Sequence, residues 1–395
     1  MSAPRIYMVA AETSGDLLAR EVVEDIRRRN PDAHVSGIGG GELASVGIES
    51  AIDISPLSIL GFVEGLRAYG DVVRLADAAA DAIIANDPDV VVLVDSWGFM
   101  LRVAQRVRLR APNIRLVKLV GPQVWATRPG RAKTLASVVD HLLCIHDLEV
   151  PFYEPFGLKT TVIGNPAISR HVQGNGSSFR AGQSIPEDAK LVLVLPGSRP
   201  SEIKRVAPEL VSAAKALKSN DPNLKIVFMP ASNVATQFRE DFPGIASWSI
   251  VSSDPGARYD AMAAADLALA CSGTVTTELA MQDTPMIVAY KTGWITWALA
   301  RGLLYSKTHI TLLNIVSDDQ EVVPEFVQTR LKSDLIAAAA QDWLTDPDKL
   351  SAQLDRQRIA LDRMKEGDRD ASEIAAGVIL DEAAARSAGS ISLQS

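Results

Sequence analysis

Two short turns carry the residue types best suited to gripping a nucleotide. Ser272-Gly273-Thr274 follows the apolar run Leu267 to Ala270 and precedes a helical pattern from Val275 to Met281. Small residues let the backbone approach a ligand, and the amides at a helix start are free donors with partial positive charge, which suits phosphate. Glu278 lies one helical turn beyond Thr274, where a carboxylate could accept from a ribose hydroxyl. The same spacing also fits a serine N-cap followed by a solvated glutamate. Pro196-Gly197-Ser198-Arg199 is a second such turn, after the buried run Leu191 to Leu195, and it adds a guanidinium. It is not a Walker A loop, because the Gly-Lys-Ser/Thr ending is missing. Together the turns point to group transfer from a nucleotide rather than phosphoryl transfer, with the diphosphate met by Arg199 and backbone amides. No His, Cys or acid grouping has metal-ligand spacing, and no cofactor is expected.

Further candidates lie in the first half of the chain. Asp95 closes the run Asp89 to Asp95, which reads as a buried parallel strand. An acid at the carboxyl end of such a strand is a catalytic candidate by position; it could equally accept bonds from turn amides. The loop Ala11 to Asp16 follows the first strand, where open α/β sheets bind ligands. Gly39-Gly40-Gly41 offers backbone room at a substrate cleft or a plain turn. The loop Gly121 to Arg131 holds Trp125 and two cations, Arg128 and Arg131, that could meet an anionic group.

The elements that must position these residues repeat one grammar: apolar run, polar turn, helical pattern. Strands are expected at Arg5 to Ala10, His34 to Ile38, Asp89 to Asp95, Ile114 to Val120, His141 to Ile145 and Thr161 to Ile163. A second series follows at Leu191 to Leu195, Leu224 to Met229, Ser249 to Val251, Leu267 to Ala270 and Pro285 to Ala289. Pro324 to Gln328 reads as the start of a helix. A chain of 395 residues with 47% hydrophobic content suffices for two α/β domains. The expected division is 1–168, a Gly-, Ser- and Gln-rich linker over 169–189, a second domain over 190–350, and a helical tail over 351–395. The net charge of −8 argues against nucleic acid as partner. Cys144 and Cys271 end apolar runs and read as buried reduced thiols. No signal peptide or membrane-spanning run is evident, so a cytoplasmic protein is expected. Residues 56–69 show a wider apolar surface than one helix face needs, read as core or as a lip for acyl chains or a bilayer surface. Leu60, Phe62, Val63 and Leu66 are its membrane or acyl candidates.

In order along the chain stand AETSGD (11–16), GIGG (37–40), GFVEGL (61–66), GPQVWATRPGR (121–131), PGSRPSEI (196–203), CSGTVTTELA (271–280), LLNIV (312–316) and PEFVQ (324–328). This ordered set resembles the lipid-A-disaccharide synthase family over roughly residues 5–375. The resemblance implies a GT-B fold, two Rossmann-like domains with parallel sheets facing a central cleft. It implies inverting transfer of 2,3-diacylglucosamine from UDP to 2,3-diacylglucosamine 1-phosphate, giving a β-1,6 linkage and UDP. It also implies peripheral association with the cytoplasmic face of the inner membrane, and dimers in some members. Carried over residue by residue, Gly197, Ser198, Arg199, Ser272, Gly273, Thr274, Glu278, Asn314 and Gln328 would line the UDP-sugar site. Ser14, Gly15, Gln123, Trp125, Arg128 and Arg131, in or beside the matching loops, would serve the acceptor.

One departure bears on mechanism. The family pattern Asp-x-Pro-Asp-Phe-Asn reads Asp95-Ser96-Trp97-Gly98-Phe99-Met100 here, so its usual catalytic acid is Gly98. Asn165 replaces a histidine, Asp147-Leu148-Glu149 replaces Pro-Phe-Glu, and Thr127 replaces a tryptophan. A general base is then sought at Asp95, Glu12 or Asp16. The alternative is a nucleotide-sugar binder with a different acceptor or without catalysis; the intact donor turns favour an active transferase.

Overall fold

The computed structural model describes residues 3–54, 69–125, 128–293 and 308–392. The apolar stretch with Leu60, Phe62, Val63 and Leu66, the stretch 294–304, and Thr127 lie outside the described residues. Two compact units are present, one of residues 1–169 with 365–395 and the other of 170–364.

The first unit is built on six parallel strands: β1 (Arg5–Ala10), β2 (His34–Ile38), β3 (Val90–Val94), β4 (Arg115–Leu119), β5 (His141–Cys144) and β6 (Lys159–Val162). Their order is β2-β1-β3-β4-β5-β6. Helices cover both faces, which is why β3 is apolar throughout and buried at every residue. Alternation splits the sheet between two cores: Tyr7, Val9, Val91, Leu93 and Leu116 face one, and Ile6, Met8, Val90, Val92 and Val117 the other. The strand order reverses between β1 and β3, so the loops after them flank the crevice where such sheets bind ligands.

The second unit has β7 (Leu191–Leu195), β8 (Lys225–Phe228), β9 (Ile250–Val251), β10 (Leu267–Cys271), β11 (Met286–Tyr290) and β12 (Glu325–Val327), ordered β12-β11-β10-β7-β8-β9. Here the reversal falls between β7 and β10, whose following turns are the two Gly-containing segments. The expected helix start at 324–328 is instead the edge strand β12, parallel to β11.

Two expected boundaries are corrected. Residues 169–189 do not form a free linker. The helix Gly176–Gly182, capped by Asn175, packs on the helix Arg258–Ala264. Arg180, 8% exposed, donates to the carbonyls of Ala264, Pro186 and Ala189 and to the Asp266 carboxylate. Nor is 351–395 one tail. The helix Pro347–Asp362 belongs to the second unit, while Ala371–Ser392 returns to the first and packs on the helix Thr13–Arg29. Ile374, Ala375, Ile379 and Ala383 are its buried face. Glu382 anchors it, accepting from Arg115 Nε at 3.0 Å, Lys159 Nζ at 2.9 Å and His141 Nδ1 at 2.9 Å. Both cysteines are free and buried, and burial raises each thiol's pKa, that of Cys144 to about 12.

Candidate functional site

In the second unit, a cavity of about 400 Å3 opens between the turns after β7 and β10. Gly197, Ser198, Arg199, Ser272, Gly273, Thr274 and Glu278 line it, as do Arg258 and Glu202. The geometry of the first turn depends on Glu202. Its side chain folds under the loop, where Oε2 accepts from the amides of Ser198 at 2.8 Å and Arg199 at 3.1 Å. Gly197 is required for this: its φ is +127°, and a Cβ there would sit 2.6 Å from Glu202 Cβ. Glu202 therefore occupies the amides of Ser198 and Arg199 and leaves the Arg199 guanidinium as the turn's charged group at the cavity. The Arg199 side chain is 73% exposed, and its Nη1 lies 3.0 Å from Glu202 Oε1.

The second turn keeps its donors. Ser272 N bonds to the carbonyl of Ala289, whereas the amides of Gly273 and Thr274 donate to no other group among the described residues. The helix they precede, Val275–Met281, has only seven residues, so these individual amides rather than a long dipole supply the positive field. Glu278 borders the cavity with its carboxylate bonded to Arg258 Nη2. Burial raises its pKa and Arg258 opposes the rise.

Two expected donor residues sit elsewhere. Asn314 is fully buried, with its amide group donating to Val323 O and Glu325 and its oxygen accepting from the amides of Val322 and Val323. That uses its full hydrogen-bonding capacity within the chain, so it shapes the segment before β12. Gln328, at φ +54° and 5% exposed, accepts from Thr292 N at 2.7 Å and likewise braces a loop.

In the first unit, a cavity of about 570 Å3 is lined by Ala11, Glu12, Asp16, Gly39, Gly40, Gly41 and neighbours to Ile54. Asp16 is buried, and its two oxygens accept from Gly40 N at 2.9 Å and Glu42 N at 2.8 Å. A Cβ on Gly39 or Gly40 would come within 2.6 or 2.8 Å of that carboxylate, which explains both glycines. Asp16 thus holds the Gly40–Glu42 turn in place, each carboxylate oxygen accepting one backbone amide. Glu12 and Ser14 are exposed, Gly15 is buried beside Asp95, and Asp95 is half-buried. Asp95 and Ser96 are both left-handed, at φ +48° and +40°. Gly98 lies in the first turn of the helix Trp97–Arg110, and among the described residues a Cβ there would meet only Arg102 Nη1, at 3.7 Å.

Of the expected acceptor loop, Gln123 and Arg128 are exposed, while Trp125 is 5% exposed and packs inward. Arg131 lies over the Trp97 ring, 5.2 Å from its centroid; burial and the nearby Arg128 both lower its pKa. Sequence reasoning passed over Glu202, Arg258 and Lys118. Only Glu202 carried a signal, because a glutamate three residues after a turn residue has capping-box spacing.

Comparison with known proteins agrees with this architecture. A family profile described as lipid-A-disaccharide synthetase matches residues 6–379. A lipid-A-disaccharide synthase of Ruegeria pomeroyi is 35% identical over 390 residues, covering 95% of each chain. Among solved structures, the UDP-GlcNAc 2-epimerase of Neisseria meningitidis bound to UDP-GlcNAc aligns at TM-score 0.61 and 12% identity, over 95% of this chain and 99% of that one. MurG of Acinetobacter baumannii aligns at TM-score 0.58 and 14% identity, over 96% and 99%. At such identities the last two speak to fold alone.

Proposed function

The chain belongs to the lipid-A-disaccharide synthetase family and is a glycosyltransferase of the GT-B fold, and on that premise we propose that it joins two acylated glucosamines. The donor in this reading is UDP-2,3-diacylglucosamine and the acceptor 2,3-diacylglucosamine 1-phosphate, linked β-1,6 with release of UDP. The observation that carries it is the second-unit cavity, where Arg199 and the amides of Gly273 and Thr274 present donors to a diphosphate and Glu278 presents an acceptor to a ribose.

Inversion requires the acceptor's 6-hydroxyl oxygen to attack the anomeric carbon as the bond to UDP breaks, with the hydroxyl proton passing to a base. Charge building on the leaving diphosphate would be met by Arg199 and the two amides. Glu12 and Asp95 are the candidate bases, since Asp16 spends both oxygens on backbone amides. Arg128 and Arg131 are the cations offered to the acceptor's phosphate. No helix among the described residues is long and apolar enough to cross a membrane, so attachment to the inner membrane would be peripheral. Dimerisation is a further part of this reading.

A second reading draws on Gly98: a UDP-sugar binder with a different acceptor, or with no turnover. One experiment separates them. Mass spectrometry of products from UDP-diacylglucosamine with a set of acceptors gives a disaccharide 1-phosphate and stoichiometric UDP in the first case. A product on another acceptor, or UDP affinity without product, identifies the second.

A further inference from the structure

Lys118 stands in β4 between Val117 and Leu119, directly opposite Leu93, and is 1% exposed. A lysine is almost never buried so completely unless its charge is met. Its ammonium donates to three backbone carbonyls: Leu93 at 3.2 Å, Leu119 at 3.4 Å, and Asp95. Three acceptors match the three hydrogens of an ammonium, whereas a neutral amine would turn its lone pair toward one of them. Burial pulls its pKa down to about 7, and the two charged groups that face it, Asp95 and Glu12, act to raise it.

What the lysine holds is the turn that carries Asp95, one of the candidate bases. Asp95 and Ser96 are consecutive non-glycine residues at positive φ, a conformation that persists only where its surroundings enforce it. Asp95 N donates to Leu119 O at 2.8 Å, and Lys118 bonds both that same carbonyl and the carbonyl of Asp95. The turn is tied at its amide and at its oxygen, and the lysine is common to both ties.

We infer that Lys118 is a positioning residue for the transfer step: its ammonium fixes the left-handed Asp95–Ser96 turn and so places the Asp95 carboxylate. This rests on the transferase reading above. The test compares wild type with Lys118→Met, which keeps the volume without donors or charge, and Lys118→Gln, which keeps two donors without charge. Acceptor-dependent UDP release is followed as a function of pH, and UDP binding by calorimetry. Lys118→Met is expected to lower kcat by about 10- to 100-fold, the scale of an ångström's misplacement. UDP affinity stays within about twofold, because the nucleotide turns belong to the other unit. In wild type, kcat declines on the alkaline side as the ammonium loses its proton, and that limb is absent from both variants. Lys118→Gln recovers part of the rate.

An unchanged kcat, or variants that keep the wild-type alkaline limb, would overturn the positioning role. So would failure of both variants to fold, which would mark the lysine as a structural strut. A wild-type chain that releases no UDP with any acceptor removes the transferase reading, and this role with it. An active wild type beside an equally active Lys118→Met removes only the role of the lysine.

Discussion

Arg199→Ala separates nucleotide binding from folding more cleanly than any other substitution in the second-unit cavity. The guanidinium is largely exposed, and its partner among the described residues, Glu202, whose Oε1 lies 3.0 Å away, retains two backbone amides through its other oxygen when the arginine is gone. The fold therefore loses an ion pair whose arginine end is in solvent while the buried carboxylate keeps its amides, about 0.2–1 kcal/mol. Binding loses a charge-assisted hydrogen bond to the diphosphate, about 1.5–3 kcal/mol, or roughly 10- to 150-fold in Kd. Titration calorimetry with UDP reads the second quantity and thermal unfolding without ligand reads the first. Arg199→Lys should recover part of the affinity, because it restores charge but not the planar fork. An Arg199→Ala chain that binds UDP as wild type does refutes the assignment of the diphosphate to this turn. A large loss of unliganded stability would refute the claim that Glu202 is held chiefly by amides.

Four other outcomes follow from particular contacts. Gly197→Ala should destabilise the second unit by about 1–3 kcal/mol, from a Cβ driven into Glu202 at positive φ, read by denaturant unfolding. Burial alone would raise the pKa of Glu382, but hydrogen bonds from Arg115, Lys159 and His141 outweigh it and hold the carboxyl near 2. Because the folded pKa lies below the unfolded value, this stabilisation is complete above about pH 4.5 and is lost as pH falls toward 2. Glu382→Gln should therefore flatten that part of the stability curve, which pH-dependent unfolding would show. Asp95→Asn or Glu12→Gln should lower turnover by about 100-fold or more with UDP affinity unchanged; wild-type rates in both would place the base elsewhere. Among the described residues Gly98→Asp meets only Arg102 Nη1 at its Cβ, so the variant should fold normally and turn over faster if an acid at that position serves the acceptor hydroxyl.

The sequence disclosed the strands and turns because a parallel strand covered on both faces is an unbroken apolar run, as Leu191 to Leu195 is, and a Gly turn ends it sharply. It did not disclose β12, three residues long with glutamate first, since so short an edge strand has no period to read. The segment 169–189 looked like a linker by composition, yet Phe179, Arg180 and Ile185 are buried in it. Motif residues were found without their orientation: Asn314, Gln328, Asp16 and Trp125 all turn inward, and only the packing around them shows it. Lys118 was missed because a single charge inside a strand reads as an outward-facing residue, and its burial is a property of the sheet around it.

The return of the helix Ala371–Ser392 to the first unit has a consequence for how the protein is made. One core of that sheet includes Ile374, Ala375 and Ile379, which are translated after the whole of residues 170–364. Val22, Val23 and Ile26 share that core and cannot be covered by this helix until it has been made, while residues 170–364 form a unit whose own residues are all translated earlier. The unit begun second is thus the one whose residues are complete first, and a chain cut before Ala371 leaves the earlier-made core open where this helix packs.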